Sequence, residues 1–93
     1  MATFEWDEGK SLRNRDKHGV TFEEAATVFG DPNAVEEHDE AHSCPGEDRF
    51  RIIGRSAFPR LLLVVYCERV VDVIRIISAR PANSRERGVY GRR

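Results

Sequence analysis

The second half of the chain shows the hydrophobic pattern of three consecutive β-strands, over residues 49–55, 60–68 and 72–80. The first segment alternates apolar and charged residues, which is typical of a strand with one polar face. The second is continuously apolar, as in a central strand that is buried on both faces, and the third is rich in β-branched residues. Turns at residues 56–59 and 69–71 predict that the three strands form an antiparallel meander.

A mostly polar helix is predicted near the start of the chain. Asp7 is its expected N-cap, the helix runs to about Lys17, and Gly19 supplies the C-terminal stop. Leu12 is the one large apolar residue in this segment, so the helix is expected to lie on the surface.

A second helix is predicted from the capping box that Thr21 and Glu24 form. Its apolar residues recur at positions i, i+3, i+4 and i+7, a spacing that predicts docking onto a sheet. These residues are Phe22, Ala25, Ala26 and Phe29.

The two ends of the chain and one internal segment complete the pattern. Another capping box, formed by Asn83 and Glu86, predicts a final helix over roughly Ser84–Tyr90. Residues 34–37 predict an edge strand, whereas residues 4–6 fit either a short strand or an anchoring arm. The expected fold class is α+β: a small antiparallel sheet of about four strands with two N-terminal helices and a C-terminal helix. A single domain is expected to span all 93 residues.

Neither a membrane span nor a secretion signal is predicted. The longest apolar run, residues 61–67, has the length of a strand and not the roughly 20 residues of a membrane helix. The N-terminus lacks the basic and apolar regions of a signal peptide. The cytoplasm is therefore the expected location.

The cysteines and histidines do not match the pattern of a metal site. Cys44 and Cys67 lack C-x-x-C spacing, and the three histidines are scattered along the chain. Cys67 is expected to be a small buried hydrophobic residue of the central strand, and Cys44 to be exposed in a polar loop. We expect no disulfide, no metal and no cofactor.

The net charge of −1 conceals a strong asymmetry between the two halves. Residues 1–48 carry four Lys and Arg against 13 Asp and Glu, whereas residues 49–93 carry 11 Arg against three Asp and Glu. Arginine is the cation best suited to bidentate contacts with phosphate or carboxylate. One interpretation is a basic side that faces a polyanion. The other is that the acidic and basic halves pair with each other in the fold.

The third strand delivers arginines toward a capped basic helix, which is typical of an anion site. Simple alternation places Val73, Arg75 and Ile77 on one face, and Ile74, Ile76 and Ser78 on the other. Because burying an unpaired guanidinium is costly, Arg75 must point at an anion, at a carboxylate partner or outward from the rim of the sheet. Pro81 ends the strand just after Arg80. The alternative is a strand whose terminal arginines are simply solvated.

The first strand of the meander carries three arginines on one face: Arg49, Arg51 and Arg55. Ile53 shares that face, and the opposite face carries Phe50, Ile52 and Gly54. Like charges on one strand face repel each other unless an anion or carboxylates stand opposite.

Short segments across nearly the whole chain match a known family in register. They are, in order, Phe4–Asp7 (FEWD), Lys17–Val20 (KHGV), Phe22–Ala25 (FEEA), Phe29–Pro32 (FGDP), Arg49–Phe50, Ile53–Gly54, Arg75–Arg80 (RIISAR) and Glu86–Arg87. Together they resemble the BrnT family of toxins from bacterial type II toxin–antitoxin modules. The resemblance implies a RelE-like fold and a ribonuclease that arrests translation. It also implies neutralisation by a cognate BrnA-like antitoxin, a ribbon-helix-helix protein that binds the operator DNA.

Metal-free RNA cleavage needs a base for the 2′-OH proton, an acid for the 5′-oxygen and cations for the phosphorane. Arg49, Arg75 and Arg80 are the candidates for phosphate binding and transition-state stabilisation. The candidates for proton transfer are His42, Glu47 and Glu68, although Glu68 is also placed to pair with Arg75. The expected RNA-binding residues are Arg51, Arg55, Arg85 and Arg87. Glu86 is expected to act as a helix cap and Tyr66 to lie in the core, and Tyr90 is a candidate for stacking on a base.

The chain departs from the family pattern at three places. Pro81 stands where a basic residue is usual, Gly88 falls within the final helix, and Cys44-Pro45-Gly46 lies in the loop that carries His42. Two alternatives to an active ribonuclease therefore remain: an arginine-rich binding module without catalysis, and an inactive toxin that serves only as a partner in an antitoxin or repressor complex.

Overall fold

The computed structural model describes residues 2–43 and 45–92. Its helices and strands are β1 Thr3–Glu5, α1 Glu8–His18, α2 Phe22–Thr27, β2 Val35–His38, β3 Arg49–Arg55, β4 Leu61–Val70, β5 Val73–Pro81 and α3 Ser84–Gly91. Two short 3₁₀ turns lie at Val28–Gly30 and Glu40–His42. The five strands form one sheet in the order β1-β5-β4-β3-β2.

The observed architecture confirms the predicted α+β class with helices against a mainly antiparallel sheet. The sheet has five strands and not about four, because the segment around Phe4 is a strand that pairs in parallel with the start of β5. β4 is the central strand and β2 lies at an edge, as predicted. β4 continues through Val70, so the predicted turn at residues 69–71 is wrong. The chain turns at Val71 and Asp72 instead, and Asp72 adopts a positive φ of 65°, which Asp tolerates better than most residues.

The predicted caps of α1 and α3 are present. The Asp7 side chain accepts a hydrogen bond from the backbone N–H of Lys10, and α1 ends at Gly19 with a φ of 74°. Asn83 and Glu86 form a complete capping box at the start of α3.

Only half of the capping box predicted for α2 forms. The Thr21 hydroxyl accepts from the backbone N–H of Glu24, as predicted. The Glu24 carboxylate does not return to the backbone of Thr21, because it binds the guanidinium of Arg60 and the hydroxyl of Ser56.

The larger part of the core lies between the sheet and the first two helices. Phe22 and Ala25 of α2 are fully buried, as the apolar stripe predicts. α1 docks in a different way, since Leu12 is 47% exposed while Ser11 and Asn14 are buried. The Asn14 amide donates to the carbonyls of Val20 (2.8 Å) and Ala79 (2.7 Å). A polar side chain thus attaches this surface helix to β5.

A β-bulge in β5 shifts the alternation of its side chains. Val65 of β4 pairs with Ser78, but the next residue, Tyr66, pairs with Ile76. One residue of β5 is therefore extra, and such a residue changes which side chains share a face. Ile76 and Ala79 both enter the core beneath the helices. The prediction that Ile76 and Ser78 lie on the same face of β5 is therefore wrong.

Gly54 lies where the sheet approaches the turn after α2. A Cβ atom added there would lie 2.9 Å from Cγ1 of Val28 and 3.0 Å from Cβ of Ala34. Overpacking a tight core site typically costs about 1–3 kcal/mol. We expect Gly54→Ala to lower the free energy of unfolding by about that amount, measured by urea denaturation. Gly88→Ala, in open space on α3, is the control and is expected to stabilise slightly; equal effects of the two substitutions would contradict this account.

Candidate active site

The sheet face opposite α1 and α2 is only partly covered. At one end of this face, Ala82 packs with Ile53, Leu61 and Leu63, and α3 contributes Val89 and Tyr90. The remainder of the face has no helix over it among the described residues. This uncovered part is called the open face below.

The register of the strands places arginines on the open face. Arg49 lies opposite Cys67, which in turn lies opposite Arg75. Arg51 follows on β3, and Arg80 lies near the end of β5. The four arginine side chains are each about one-third exposed, from 32% to 37%. Arginines of β3 and β5, two strands that are separated by β4, are thus brought onto one surface.

A cleft of about 270 Å³ opens on this face between β3, β5 and the loop that follows β2. Its polar walls are formed by Asp39, His42, Arg49, Arg51, Ser78 and Arg80. Its apolar floor is formed by Leu63, Val65 and Ile77. The cleft therefore brings together four of the predicted site residues: His42, Arg49, Arg51 and Arg80.

His42 is oriented by a carboxylate that was not among the predicted site residues. Its Nδ1 lies 2.9 Å from Oδ2 of Asp39, whose side chain is only 6% exposed, whereas the imidazole is 69% exposed. A carboxylate only accepts, so a neutral imidazole that pairs with it carries its hydrogen on Nδ1 and has its lone pair on Nε2. Such an imidazole is held in one tautomer with a free basic nitrogen, which is the arrangement that a general base requires.

The loop that carries His42 is attached to β3 through Ser43. The Ser43 hydroxyl donates to the backbone carbonyl of Asp39 (2.8 Å) and accepts from the backbone N–H of Arg49 (2.9 Å). The backbone N–H of Asp39 also donates to the carbonyl of Arg49 (2.8 Å). These contacts fix the position of His42 relative to the arginines of the cleft.

Each arginine of the open face has a carboxylate partner. Arg49 lies 3.4 Å from Glu47, Arg51 3.4 Å from Glu37 and Arg75 3.0 Å from Glu5, and Arg80 binds Glu86. Carboxylates thus relieve the repulsion that the sequence predicts among these arginines. The pairs Glu5–Arg75, Glu24–Arg60, Glu37–Arg51 and Glu47–Arg49 also join the acidic and basic halves, so the interpretation that the halves pair with each other is correct for four arginines.

The contacts of Arg49 and Arg51 are looser than those of Arg80. Nε of Arg51 and Oε1 of Glu37 are buried and have no hydrogen-bond partner, so the 3.4 Å ion pair leaves donor capacity unused. An incoming phosphate competes with an ion pair more easily when that pair is long and partly exposed. Arg49 and Arg51 are therefore the arginines of this cleft best placed to exchange a carboxylate for a phosphate.

Arg80 lines the cleft and also forms a structural ion pair with Glu86. Its two terminal nitrogens donate to the two oxygens of Glu86 at 2.9 and 2.8 Å. Burial opposes ionisation of Glu86, but the hydrogen bonds from Arg80 and Asn83 outweigh it and lower the pKa of that carboxyl. Because Glu86 also caps α3, substitution of Arg80 would disturb the helix together with the cleft.

Other predicted site residues lie outside the cleft. Arg75 shares a pairing row with Arg49 across Cys67, but it does not line the cleft and instead ties β5 to Glu5 of β1. Glu68 pairs with Ile74 and lines a different pocket on the helix-covered face, beside Tyr66. Glu68 therefore lies apart from the arginines of the cleft, and no ion pair between it and Arg75 is seen among the described residues. The reason is that Glu68 and its neighbour Cys67, which lies opposite Arg75, point to opposite faces of the sheet.

The remaining predicted RNA-binding residues, Arg55, Arg85 and Arg87, are exposed and do not line the cleft. The Arg55 guanidinium lies over the ring of Tyr90, 6.0 Å from its centroid. The Tyr90 hydroxyl donates to Asp31 (2.8 Å), which raises the pKa of that phenol.

Tyr66 and Cys67 are core residues, as predicted. Tyr66 is 5% exposed and its hydroxyl donates to Glu36; burial and this contact raise the pKa of the phenol. Cys67 is a buried free thiol, and burial raises its pKa. The expectations for Cys44 fall outside the described residues.

The described residues show neither a cluster of metal ligands nor a membrane-spanning helix. In the described ranges, 2–43 and 45–92, no group of three or more His, Cys, Asp and Glu side chains is placed to hold a metal ion. Within the same ranges, no helix has the length and apolar character needed to cross a membrane.

Comparisons with known proteins agree with this description. Residues 6–86 match the family model described as the ribonuclease toxin BrnT of type II toxin–antitoxin systems. The fold is similar to the crystal structure of the Brucella abortus ribonuclease toxin BrnT, with a TM-score of 0.69 and 23% sequence identity over 90% of this chain and 100% of that one. No curated protein sequence is significantly similar.

Proposed function

The chain belongs to the BrnT family of ribonuclease toxins of type II toxin–antitoxin systems, and from this premise we propose that it cleaves RNA without a metal ion and so inhibits translation. The observation that carries the proposal is the cleft in which His42, oriented by Asp39, faces Arg49, Arg51 and Arg80. A positioned base beside several guanidinium groups is the combination that RNA transphosphorylation requires.

In the proposed mechanism, a phosphodiester of single-stranded RNA lies in the cleft with Arg49 and Arg51 at its non-bridging oxygens. Nε2 of His42 takes the proton of the 2′-OH, and the 2′-oxygen attacks phosphorus. The bond to the 5′-oxygen breaks, which gives a 2′,3′-cyclic phosphate and a 5′-hydroxyl. Solvent supplies the proton of the 5′-hydroxyl, because the cleft is open to water.

The arginines contribute mainly by stabilising charge. Negative charge increases on the equatorial oxygens as the pentacoordinate phosphorane forms, and prepositioned cations stabilise it. Arg80 acts as a positive charge held in place by Glu86, whereas Arg49 and Arg51 exchange their loose carboxylate contacts for phosphate. Arg75 binds the RNA chain beyond the cleft. Glu68 has no part in this mechanism because it lies on the other face.

The proposed setting is that of a type II toxin in the cytoplasm, acting as a single domain. A cognate BrnA-like antitoxin of the ribbon-helix-helix class neutralises the toxin, and the complex contacts operator DNA only through the antitoxin. Family membership supports a cognate antitoxin. The partly exposed arginines of the open face offer an acidic antitoxin segment the same contacts that they offer RNA.

The test is RNA cleavage in the presence of EDTA. We expect the wild type to degrade total RNA and the double variant Arg49→Gln, Arg51→Gln to lose at least about 10²-fold in rate, since one such donor is typically worth about that much. Arg15→Gln, Arg92→Gln removes the same charge from exposed positions that do not line the cleft and is expected to stay within about twofold of the wild type. Intact RNA with the wild type would contradict the proposal, and a cell-free translation assay would then separate a ribosome-dependent toxin from a non-catalytic binding module.

A further inference from the structure

A second basic cleft, of about 360 Å³, lies between α1 and β5. Its charged wall comes from α1 and its other wall from the bulged part of β5. The residues are Lys10, Arg13, Lys17 and His18 on α1, and Ile77 and Ser78 on β5. This cleft is called the α1 groove below.

The spacing of the cations directs them toward one side of α1. Lys10, Arg13 and Lys17 stand at i, i+3 and i+7, so they share a helix face. Asn14 lies on that face and binds both the N–H and the carbonyl of Ala79 in β5. The basic face is therefore held against the edge of β5 by a buried contact.

Within the fold two of these cations act at the start of α1, where the backbone hydrogen bond from Lys10 and then the charges of Arg13 and Lys10 lower the pKa of the N-cap Asp7, but none of the three forms a close ion pair within the described part of the chain. Among the described residues, none of the ion pairs involves Lys10, Arg13 or Lys17. The helix dipole favours cations in the last turn, which accounts for Lys17 and not for Lys10 in the first turn. Arg15 differs from them, since it faces away from the groove and pairs with Asp16.

The α1 groove continues the active-site cleft. Ile77 and Ser78 line both clefts, so the two meet at the bulge. β1 pairs only with Val73–Arg75 of β5, which leaves the edge beside the bulge free of a neighbouring strand. A single-stranded chain in the active-site cleft thus has a path around this edge to α1, with cations at both ends and the uncharged Ile77 and Ser78 between them.

We propose that the α1 groove binds the phosphates of the RNA chain that flanks the cleaved bond, with Lys10 and Arg13 as the principal contacts. The inference rests on the proposed function and adds a second subsite to it. The groove holds the substrate through its backbone, so it contributes affinity and has no direct part in sequence preference. It favours substrates long enough to span both clefts.

The experiment compares two double variants that remove equal charge from exposed positions. Lys10→Gln, Arg13→Gln removes the two principal cations of the α1 groove. Arg15→Gln, Arg92→Gln is the matched control. Binding to a 12-nucleotide 2′-deoxy analogue, which cannot be cleaved, is measured by fluorescence anisotropy at several salt concentrations. Each single-strand phosphate contact contributes about 0.7 to the slope of log K against log salt, so losing two contacts lowers the slope by about 1.4 and the affinity at 0.1 M salt by about ten- to thirtyfold.

The control variant is expected to stay within about twofold of the wild type, and both variants are expected to bind a three-nucleotide analogue as the wild type does. The proposed role of the α1 groove would be overturned if the two variants lost equal affinity for the 12-nucleotide analogue, or if Lys10→Gln, Arg13→Gln lost none. The proposed cleavage activity would be unaffected by either result. A groove variant that loses its antitoxin but keeps its RNA affinity would assign this surface to the antitoxin and overturn the inference. A wild type that neither binds nor cleaves RNA would instead overturn the proposed function.

Discussion

Replacing His42 with alanine is expected to lower the rate of RNA cleavage by about 10²–10³-fold, in the range typical of a lost general base. The physical reason is the free Nε2, which Asp39 holds in the basic tautomer at the rim of the arginine cleft. The imidazole is 69% exposed, so its removal leaves no cavity, but it takes the hydrogen-bond partner away from the Asp39 carboxylate, which is only 6% exposed. The free energy of unfolding should therefore fall by about 1–3 kcal/mol. The measurement is single-turnover cleavage of a short RNA, with thermal unfolding beside it.

Asp39→Asn separates positioning from proton transfer. It keeps the shape of the residue but presents an amide to Nδ1, and we expect a loss of about ten- to a hundredfold, as for other groups that orient a functional histidine. His38→Gln, on the neighbouring strand end, is the control and should change the rate less than about threefold. A full rate for His42→Ala would assign the proton transfer to another group.

Replacing Arg60 with methionine is expected to lower the free energy of unfolding by about 2–3 kcal/mol at neutral pH. Glu24 is 4% exposed and receives two hydrogen bonds from Arg60, at 2.7 and 2.6 Å, and one from Ser56 at 2.7 Å. Leaving one charge of a buried pair without its partner costs about 3–5 kcal/mol. The expected loss of about 2–3 kcal/mol is smaller than this typical cost because the Arg60 side chain is 40% exposed and water screens part of the interaction.

The effect of this pair on stability depends on pH in a defined direction. The hydrogen bonds from Arg60 lower the pKa of Glu24 and outweigh its desolvation. A carboxyl whose folded-state pKa is lowered contributes stability above its ordinary pKa, here 4.5, and loses it as the pH falls through the folded value. The deficit of Arg60→Met should therefore be largest at pH 7 and shrink below about pH 4.5. Urea denaturation at pH 7 and pH 3.5 measures it, with exposed Arg15→Met as the control; a deficit independent of pH would contradict the assignment.

The outline of the fold could be predicted from the sequence because local patterns specify it. Asp7, Gly19 and Asn83 end or begin helices through contacts within one turn, and such contacts need no knowledge of the rest of the chain. Alternation likewise placed Arg49 and Arg51 together on one face of β3. Adjacent residues of an unbulged strand always point to opposite faces, so this part of the site was visible in advance.

The partners of the charged residues could not be predicted in the same way. Glu24 was expected to complete a local capping box, but it binds Arg60, which lies 36 residues away. Asn14 was one of many polar residues of a surface helix, and it is buried because Ala79 presents its backbone there. A buried polar group that lacks a hydrogen-bond partner is costly, so buried polar side chains pair with whichever polar groups are buried beside them. Which groups are buried depends on the whole fold.

The sequence by itself determined the class of the fold, most of the helix and strand boundaries, the family and the arginine-bearing strand face. Only the tertiary structure decided which of those arginines share a cleft with His42, because the bulge in β5 and the pairing of distant strands set which side chains meet. It also separated Glu68 from the cleft and recruited Asp39 to it. The physical reason is that periodicity constrains neighbours within a few residues, whereas a site is assembled from contacts between strands that are far apart in the chain.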